Sequence, residues 1–373
     1  MRALFLIGFI LSSLSIFGQR DTLVFPDMQG ELAPVEIKPQ EAEVVWKSDS
    51  LNVADFMFRG NELILFSYQT EERWKRQEES KITLYKACQL VLTDSAFNEK
   101  SRLPLQGICK GIYDGYFNAI IVEGRNDFRM IADDLSSELL AIPVDTFQTY
   151  FAPIVDSLGD KIVFSTYNSS YPAFEYKVYD TRDSTVDVIR YLANDLVLEL
   201  MNSEYKYLGP REKLEACKLE QALGIDKKII AAYMRGFQHS TYFEPVNAPI
   251  VMLHDTLVIF DHYHNCMVKT NVEGVVIDSL SIHYHLREKQ ERWSGKVIQD
   301  DVTKRVYSVR EKGGKHFIFE IDLQSGRALS RQMLTHRYVE EIKLHDGYVY
   351  YIYRPFESSQ NRFLYREKCA EYK

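Results

Sequence analysis

Six times along this chain an apolar strand runs into a tight polar turn and then a second, more apolar strand, and this recurrence constrains the fold more than any other feature. The turns and second strands are Arg59-Gly60-Asn61-Glu62-Leu63-Ile64-Leu65-Phe66, Asp114-Gly115-Tyr116-Phe117-Asn118-Ala119-Ile120-Ile121 and Leu158-Gly159-Asp160-Lys161-Ile162-Val163-Phe164. The other three are His254-Asp255-Thr256-Leu257-Val258-Ile259-Phe260, Thr303-Lys304-Arg305-Val306-Tyr307-Ser308-Val309 and His345-Asp346-Gly347-Tyr348-Val349-Tyr350-Tyr351-Ile352. Gly and Asp supply the backbone angles that a hairpin turn needs. Taking Leu63, Phe117, Ile162, Leu257, Val306 and Val349 as equivalent, the spacings are 54, 45, 95, 49 and 43. Four of them fall near the roughly 40–50 residues of a four-stranded propeller blade.

The spacing of 95 holds either a seventh unit or an insertion. Composition favours an insertion at about 209–237. Gly209-Pro210 opens a segment with Leu214, Cys217 and Leu223 at helical spacing, ended by Gly224, which is ordinary helix punctuation. Asp226 then caps a second helix carrying Ile229, Ile230, Tyr233 and Met234, closed by Gly236. Leu214, Leu223, Ile229, Ile230 and Met234 are the expected anchors. Third and fourth strands are legible in unit four (Cys266 to Thr270, Val275 to Ile282) and unit five (His316 to Asp322, Arg327 to Leu334). Unit six lacks its fourth strand after Arg362 to Arg366, and the segment Val35 to Trp46 has no unit of its own. That segment is expected to supply the missing outer strand and remove an exposed edge.

Asp255-Thr256-Leu257-Val258-Ile259-Phe260-Asp261, then Asn265-Cys266-Met267-Val268-Lys269, then Gly274, resembles a blade of the NHL-like six-bladed propellers found in exported bacterial proteins. The resemblance implies an all-β, six-bladed β-propeller over most of the mature chain; with the spacings above, residues 19–373 read as one such propeller closed by an N-terminal strand and carrying a two-helix insertion. Members of that family range from binding platforms to lactonases and lyases, so it implies fold rather than function. No metal-ligand or lyase motif of those enzymes is matched here.

Met1-Arg2, the apolar run Ala3 to Ile16 and Gly18-Gln19 read as a secretory signal over residues 1–18; a permanent N-terminal anchor is the alternative. No later stretch approaches the roughly 20 apolar residues of a spanning helix, so the mature chain is expected to be exported, periplasmic or extracellular. Its 45 basic and 53 acidic residues give a net charge of −8, and removing residues 1–18 takes one base, Arg2, leaving −9. Such a chain has no global attraction for nucleic acid. The five cysteines, Cys88, Cys109, Cys217, Cys266 and Cys369, are dispersed and odd in number, reading as buried free thiols. There is no G-x-S-x-G, H-E-x-x-H, G-x-G-x-x-G or phosphate-binding Gly-rich loop. Asp133-Asp134 and Asp300-Asp301 read as turn formers. The mixed-charge run Glu71 to Lys81 around Trp74 reads as a solvated loop.

One constellation stands apart. Six of the nine histidines lie between His239 and His285, four of them in the triplets His262-Tyr263-His264 and His283-Tyr284-His285. In an extended triplet both imidazoles share one side and the tyrosine takes the other. Propeller topology sends both triplets, His239 and the insertion to one face. Three readings follow: His262, His264, His283 and His285 hold a divalent metal such as zinc; Arg235, His239, Tyr263 and Tyr284 line a ligand pocket; or the histidines brace loops. The expected role is a ligand-binding or protein-interaction module for a small molecule, glycan or exported protein. The alternatives are a metal-dependent hydrolase or lactonase-like enzyme and a structural component of an envelope assembly.

Overall fold

The computed structural model describes residues 41–75, 81–114, 119–286, 291–355 and 361–370. Within them six antiparallel sheets follow one another along the chain. The first contains Asn52–Arg59, Glu62–Tyr68, Gln89–Thr93 and Glu99–Pro104, in that order across the sheet. The second is built on Ile108–Asp114, Ala119–Gly124, Phe128–Ala132 and Glu138–Ile142, and the third on Ile154–Leu158, Lys161–Ser165, Ala173–Asp180 and Thr185–Ala193. Ile250–Leu253, Thr256–Asp261, Cys266–Asn271 and Val276–Ser281 form the fourth. Arg292–Gln299, Val306–Lys312, Lys315–Ile321 and Ala328–Arg337 form the fifth. The sixth joins Glu340–His345, Tyr348–Tyr353 and Phe363–Lys368 to Glu43–Trp46 from the other end of the chain. Successive four-stranded meanders of this kind fit a β-propeller.

The burial pattern explains the apolar runs. Second strands are covered on both faces: Leu63 to Phe66, Leu257 to Phe260 and Val349 to Ile352 are all buried. A strand covered on both sides needs a continuous apolar run. Fourth strands such as Glu99–Pro104 and Val276–Ser281 alternate exposed and half-buried residues, as one-sided outer strands do. The core clusters lie between sheets. One combines Phe66 and Leu90 of the first sheet with Ile120 and Val122 of the second. Others join the third sheet to the fourth, the fourth to the fifth and the fifth to the sixth. Another brings Phe56, Leu63 and Leu65 of the first sheet against Tyr350, Ile352 and Leu364 of the sixth.

Glu43–Trp46 pairs with Phe363–Lys368 in the register Glu43 to Arg366, Val44 to Tyr365 and Trp46 to Leu364. The Arg366 Nε sits 2.8 Å from Glu43 Oε2. The strand is shorter than the expected Val35 to Trp46; residues 35–40, the expected signal at 1–18 and the turn around Phe117 lie outside the described residues. The turn reading of Asp300 holds in detail: its carboxylate accepts from Val302 N and Thr303 N of its own turn and from Asp346 N and Gly347 N of the next sheet's turn. All five cysteines are free. No helix among the described residues is long and apolar enough to cross a membrane.

Two expectations need correction. Of the run Glu71 to Lys81, the described residues 71–75 and 81 are not loop but strand: Thr70–Lys75 pairs with Lys81–Lys86, which joins the second sheet through Tyr85 to Cys109 and Lys86 to Ile108. Glu71 is held from the far end of the sequence: its Oε2 lies 2.9 Å from the buried Arg362 guanidinium and its Oε1 lies 3.6 Å from Arg354. The insertion is also longer than 209–237. It starts at Asn194, whose side chain caps the helix Asp195–Ser203 by accepting from Val197 N at 3.1 Å.

The two expected helices are Pro210–Leu223, ended by Gly224 at φ +69°, and Lys227–Met234, capped by Asp226. Of the five expected anchors, Leu214, Leu223 and Met234 are exposed. Ile230 is buried and Ile229 half-buried as expected, and the remaining buried contacts come from Val197, Met201, Ala232 and Phe237 and from Leu208, Ala216 and Ala231. Helix packing on small alanines, against a third helix the sequence reading omitted, turned the larger side chains outward. The insertion meets the third sheet's loop through Tyr171 and through Tyr233 OH, which donates to Ser170 O at 3.1 Å.

Removing residues 19–47 is expected to leave one edge of Phe363–Lys368 unpaired and to cause aggregation or a large fall in melting temperature; a monomeric, equally stable product would contradict the pairing. Leu364→Ala, at a fully buried site between the sixth and first sheets, is expected to cost about 2–5 kcal/mol in denaturant unfolding. A loss below about 1 kcal/mol would mean that this core tolerates rearrangement.

Candidate functional site

The strand Thr256–Asp261 stops because Asp261 folds the chain back. Its buried carboxylate accepts from His264 N at 3.1 Å and pairs with His264 Nδ1 at 2.7 Å, and Asn265 takes φ +54°. The first triplet is therefore a turn. The second runs into a short 3-10 helix, Tyr284–Leu286. Neither is extended, so neither presents both imidazoles to one side: His262 and His285 are buried, His264 is half-exposed and His283 is exposed.

The two buried imidazoles do meet. Their ring centroids are 4.8 Å apart, and the indole of Trp293 lies 4.2 Å from His262. The Nδ1 of His262 is 3.2 Å from Asn247 O, an acceptor only, so Nδ1–H donates; Nε2 then accepts from Tyr284 O–H at 2.7 Å. The Nε2 of His285 faces Asn265 Oδ1 at 2.9 Å. Arg310 of the fifth sheet donates to Tyr284 O. Burial, helped by the neighbouring His285, pushes the His262 imidazole down to about 3, and burial also lowers that of His285. The result is a neutral, interlocked cluster tying two loops of the fourth sheet to strands of the fifth.

The remaining expected site residues are dispersed. His264 is taken by Asp261, and His283 Nε2 by Ser281 Oγ at 3.0 Å. Tyr263 leans on the His264 ring, 4.7 Å between centroids. Arg235 bonds inside the insertion, its Nε 2.6 Å from Glu204 Oε2, and His239 ends the short helix Phe237–His239. As a metal set the four imidazoles fail on geometry: both nitrogens of His262 are occupied and His264 turns away. Among the described residues no group of three or more His, Cys, Asp or Glu is placed to hold a metal ion.

Two cavities were not anticipated. One of about 260 Å³ opens beside first strands of the third, fourth and fifth sheets, lined by Asp156, Met252, Val297 and Gln299. Burial, with Asp301 nearby, pushes the Asp156 carboxyl up against the pull of Lys304. The other, about 550 Å³, lies at the end of the fifth sheet and is lined by Glu291, Lys312, Lys315, Phe317, Arg331 and Arg337. Its local signal was Lys312-Gly313-Gly314-Lys315, a hairpin turn flanked by cations. Arg337 becomes a neighbour only through strand register.

No protein-family model matches the chain, and no curated protein matches it. Solved structures similar to it include a luciferin-regenerating enzyme, with TM-score 0.43, 8% identity, and coverage of 89% of this chain and 98% of that one. The calcium-binding protein regucalcin from Agrobacterium tumefaciens gives 0.43, 7%, 90% and 95%, and the β-propeller domain of Cps50 (Swd1) from Myceliophteria thermophila 0.38, 8%, 88% and 99%. Likeness this distant says nothing about activity.

The buried His262 makes stability pH-dependent. Its ordinary value is 6.5 and its folded value about 3, so between them the unfolded chain binds the extra proton. Stability is complete above pH 6.5 and falls as the pH drops from there toward 3. At pH 5 the loss from this group is about 2 kcal/mol. His262→Gln is expected to show a correspondingly smaller decline between pH 7 and pH 5 in urea unfolding. Equal declines in both proteins would contradict the neutral, buried assignment.

Proposed function

We propose that this chain is an exported binding module: a propeller whose six sheets are its blades, closed into a ring by Glu43–Trp46. Its ligand, a small molecule, glycan or exported protein, binds at the end of the sheets where second strands pass to third strands and fourth strands leave for the next sheet. The helical insertion, both histidine turns and the cleft beside Lys312 all occupy connections at that end of their sheets.

The observation that carries this reading is the contrast between two adjoining features. Both ring nitrogens of the buried His262 are engaged by the loops around it, through Asn247 O and Tyr284 O–H. Beside them, the cleft of about 550 Å³ keeps charged side chains facing open space. A hydrolase built on the histidines would need an imidazole able to ligate or to exchange a proton near neutral pH. The depressed value of His262 keeps its imidazole neutral and so works against proton exchange near neutral pH.

A metal assay and a chelator separate the two roles. The purified protein is expected to carry no stoichiometric metal, and prolonged dialysis against a strong chelator is expected to leave its melting temperature unchanged. A stoichiometric metal that disappears in His285→Ala would overturn the binding reading in favour of a metal-dependent hydrolase.

A further inference from the structure

We infer that the cleft at the end of the fifth sheet is a binding site for an oxyanion-bearing ligand, one carrying sulfate or phosphate groups; this rests on the binding-module reading above and names its ligand class. The starting point is the turn. Gly313 and Gly314 both take positive φ, +57° and +76°, forming a two-residue loop that sets Lys312 and Lys315 directly opposite each other. On the other side of Lys315, the register places Arg337 directly opposite. Three cations thus stand in one row across three strands. Same-sign charges directly opposite each other destabilise a sheet.

Several cations elsewhere in this molecule have carboxylate partners, such as Lys100 with Glu62, Lys161 with Glu273 and Lys343 with Asp55. Here they do not. Lys312, Lys315 and Arg337 make no ion pair and no side-chain hydrogen bond among the described residues, although acids outnumber bases in the chain by eight. The carboxylate that lines the cleft, Glu291, is buried and already committed to Arg331. The Arg331 guanidinium in turn lies over the Phe317 ring at 4.4 Å. Among the described residues, four cations therefore line the cleft with one neutralised carboxylate, beside the Phe317 ring.

The row is also held in place. Tyr338, next to Arg337, donates its backbone N–H to Gly314 O at 2.7 Å, and its ring lies where a Cβ on Gly314 would stand. That contact ties the end of Ala328–Arg337 to the lysine turn. Sulfate and phosphate are matched to such a site because each oxygen accepts several charge-assisted hydrogen bonds, and an arginine can engage two at once. An anion in the cleft converts the repulsion within the row into shared attraction.

The test is thermal unfolding and calorimetric titration at constant ionic strength, with inorganic sulfate, inorganic phosphate, dextran sulfate and uncharged dextran as probes. The expected result is a melting temperature raised by sulfate or phosphate over equal-strength chloride, with tighter binding of dextran sulfate if the source is a sulfated glycan. Lys312→Gln/Lys315→Gln should weaken binding by about tenfold or more, at the scale of one or two charge-assisted hydrogen bonds. The same variant without ligand should be as stable as the parent or more so, because it relieves repulsion. Absence of any anion-specific shift, or binding unchanged in that variant, overturns the inference. If the anions fail but uncharged dextran binds, and Met333→Trp on the cleft wall abolishes that binding, the anion assignment falls while the binding module stands.

Discussion

The pairing of Glu43–Trp46 with Phe363–Lys368 is the interaction on which the rest of the molecule leans, because it stabilises a strand that touches its neighbours on every side. Along one edge Phe363–Lys368 pairs with Tyr348–Tyr353, and along the other with the N-terminal strand. The Glu367 side chain and the backbone at Lys368 and Ala370 reach the fifth sheet. The buried Glu367 accepts from Thr335 N at 3.0 Å, Gln332 Nε2 donates to Lys368 O at 3.0 Å, and Ala370 N donates to Gln332 Oε1 at 2.8 Å. Thr335 and Gln332 belong to the strand that carries Arg331 and Arg337. The cationic cleft is thereby positioned by a strand whose outer edge is covered, among the described residues, by the N-terminal pairing.

The histidines belong to the same logic of fixing loops so that a neighbouring surface can stay open. His262 satisfies one carbonyl and one hydroxyl from two separate loops, and Arg310 secures Tyr284 from the next sheet. Leaving any one of these buried groups unpaired costs about 1–3 kcal/mol, more than a made bond contributes. Such a cluster therefore specifies one arrangement strongly. It does so with neutral imidazoles, which keeps its own charge away from the cations of the cleft.

Much of the architecture was legible in the sequence for local reasons. Turn residues and doubly covered apolar strands announce themselves within eight residues, and the caps Asp226 and Gly224 mark helix ends by their own chemistry. What escaped depends on partners far away in the chain. Glu71 looked solvated because Arg362 is nearly three hundred residues distant, and its hairpin was therefore misread. Whether the histidine triplets are extended is not legible either, because nothing in their own spacing reveals that Asp261 bends the first of them. Lys312 and Lys315 flank an obvious turn, yet the row they form with Arg337 exists only once the strand register is known.

Hydrogen exchange measured by mass spectrometry tests the closure most directly. With the edge paired, backbone amides of Glu43–Trp46 and Phe363–Lys368 are expected to exchange together, as slowly as those of Tyr348–Tyr353, and only through global unfolding. Rapid exchange along the edge of Phe363–Lys368 that faces Glu43–Trp46, with Tyr348–Tyr353 still protected, would show an open edge and contradict it.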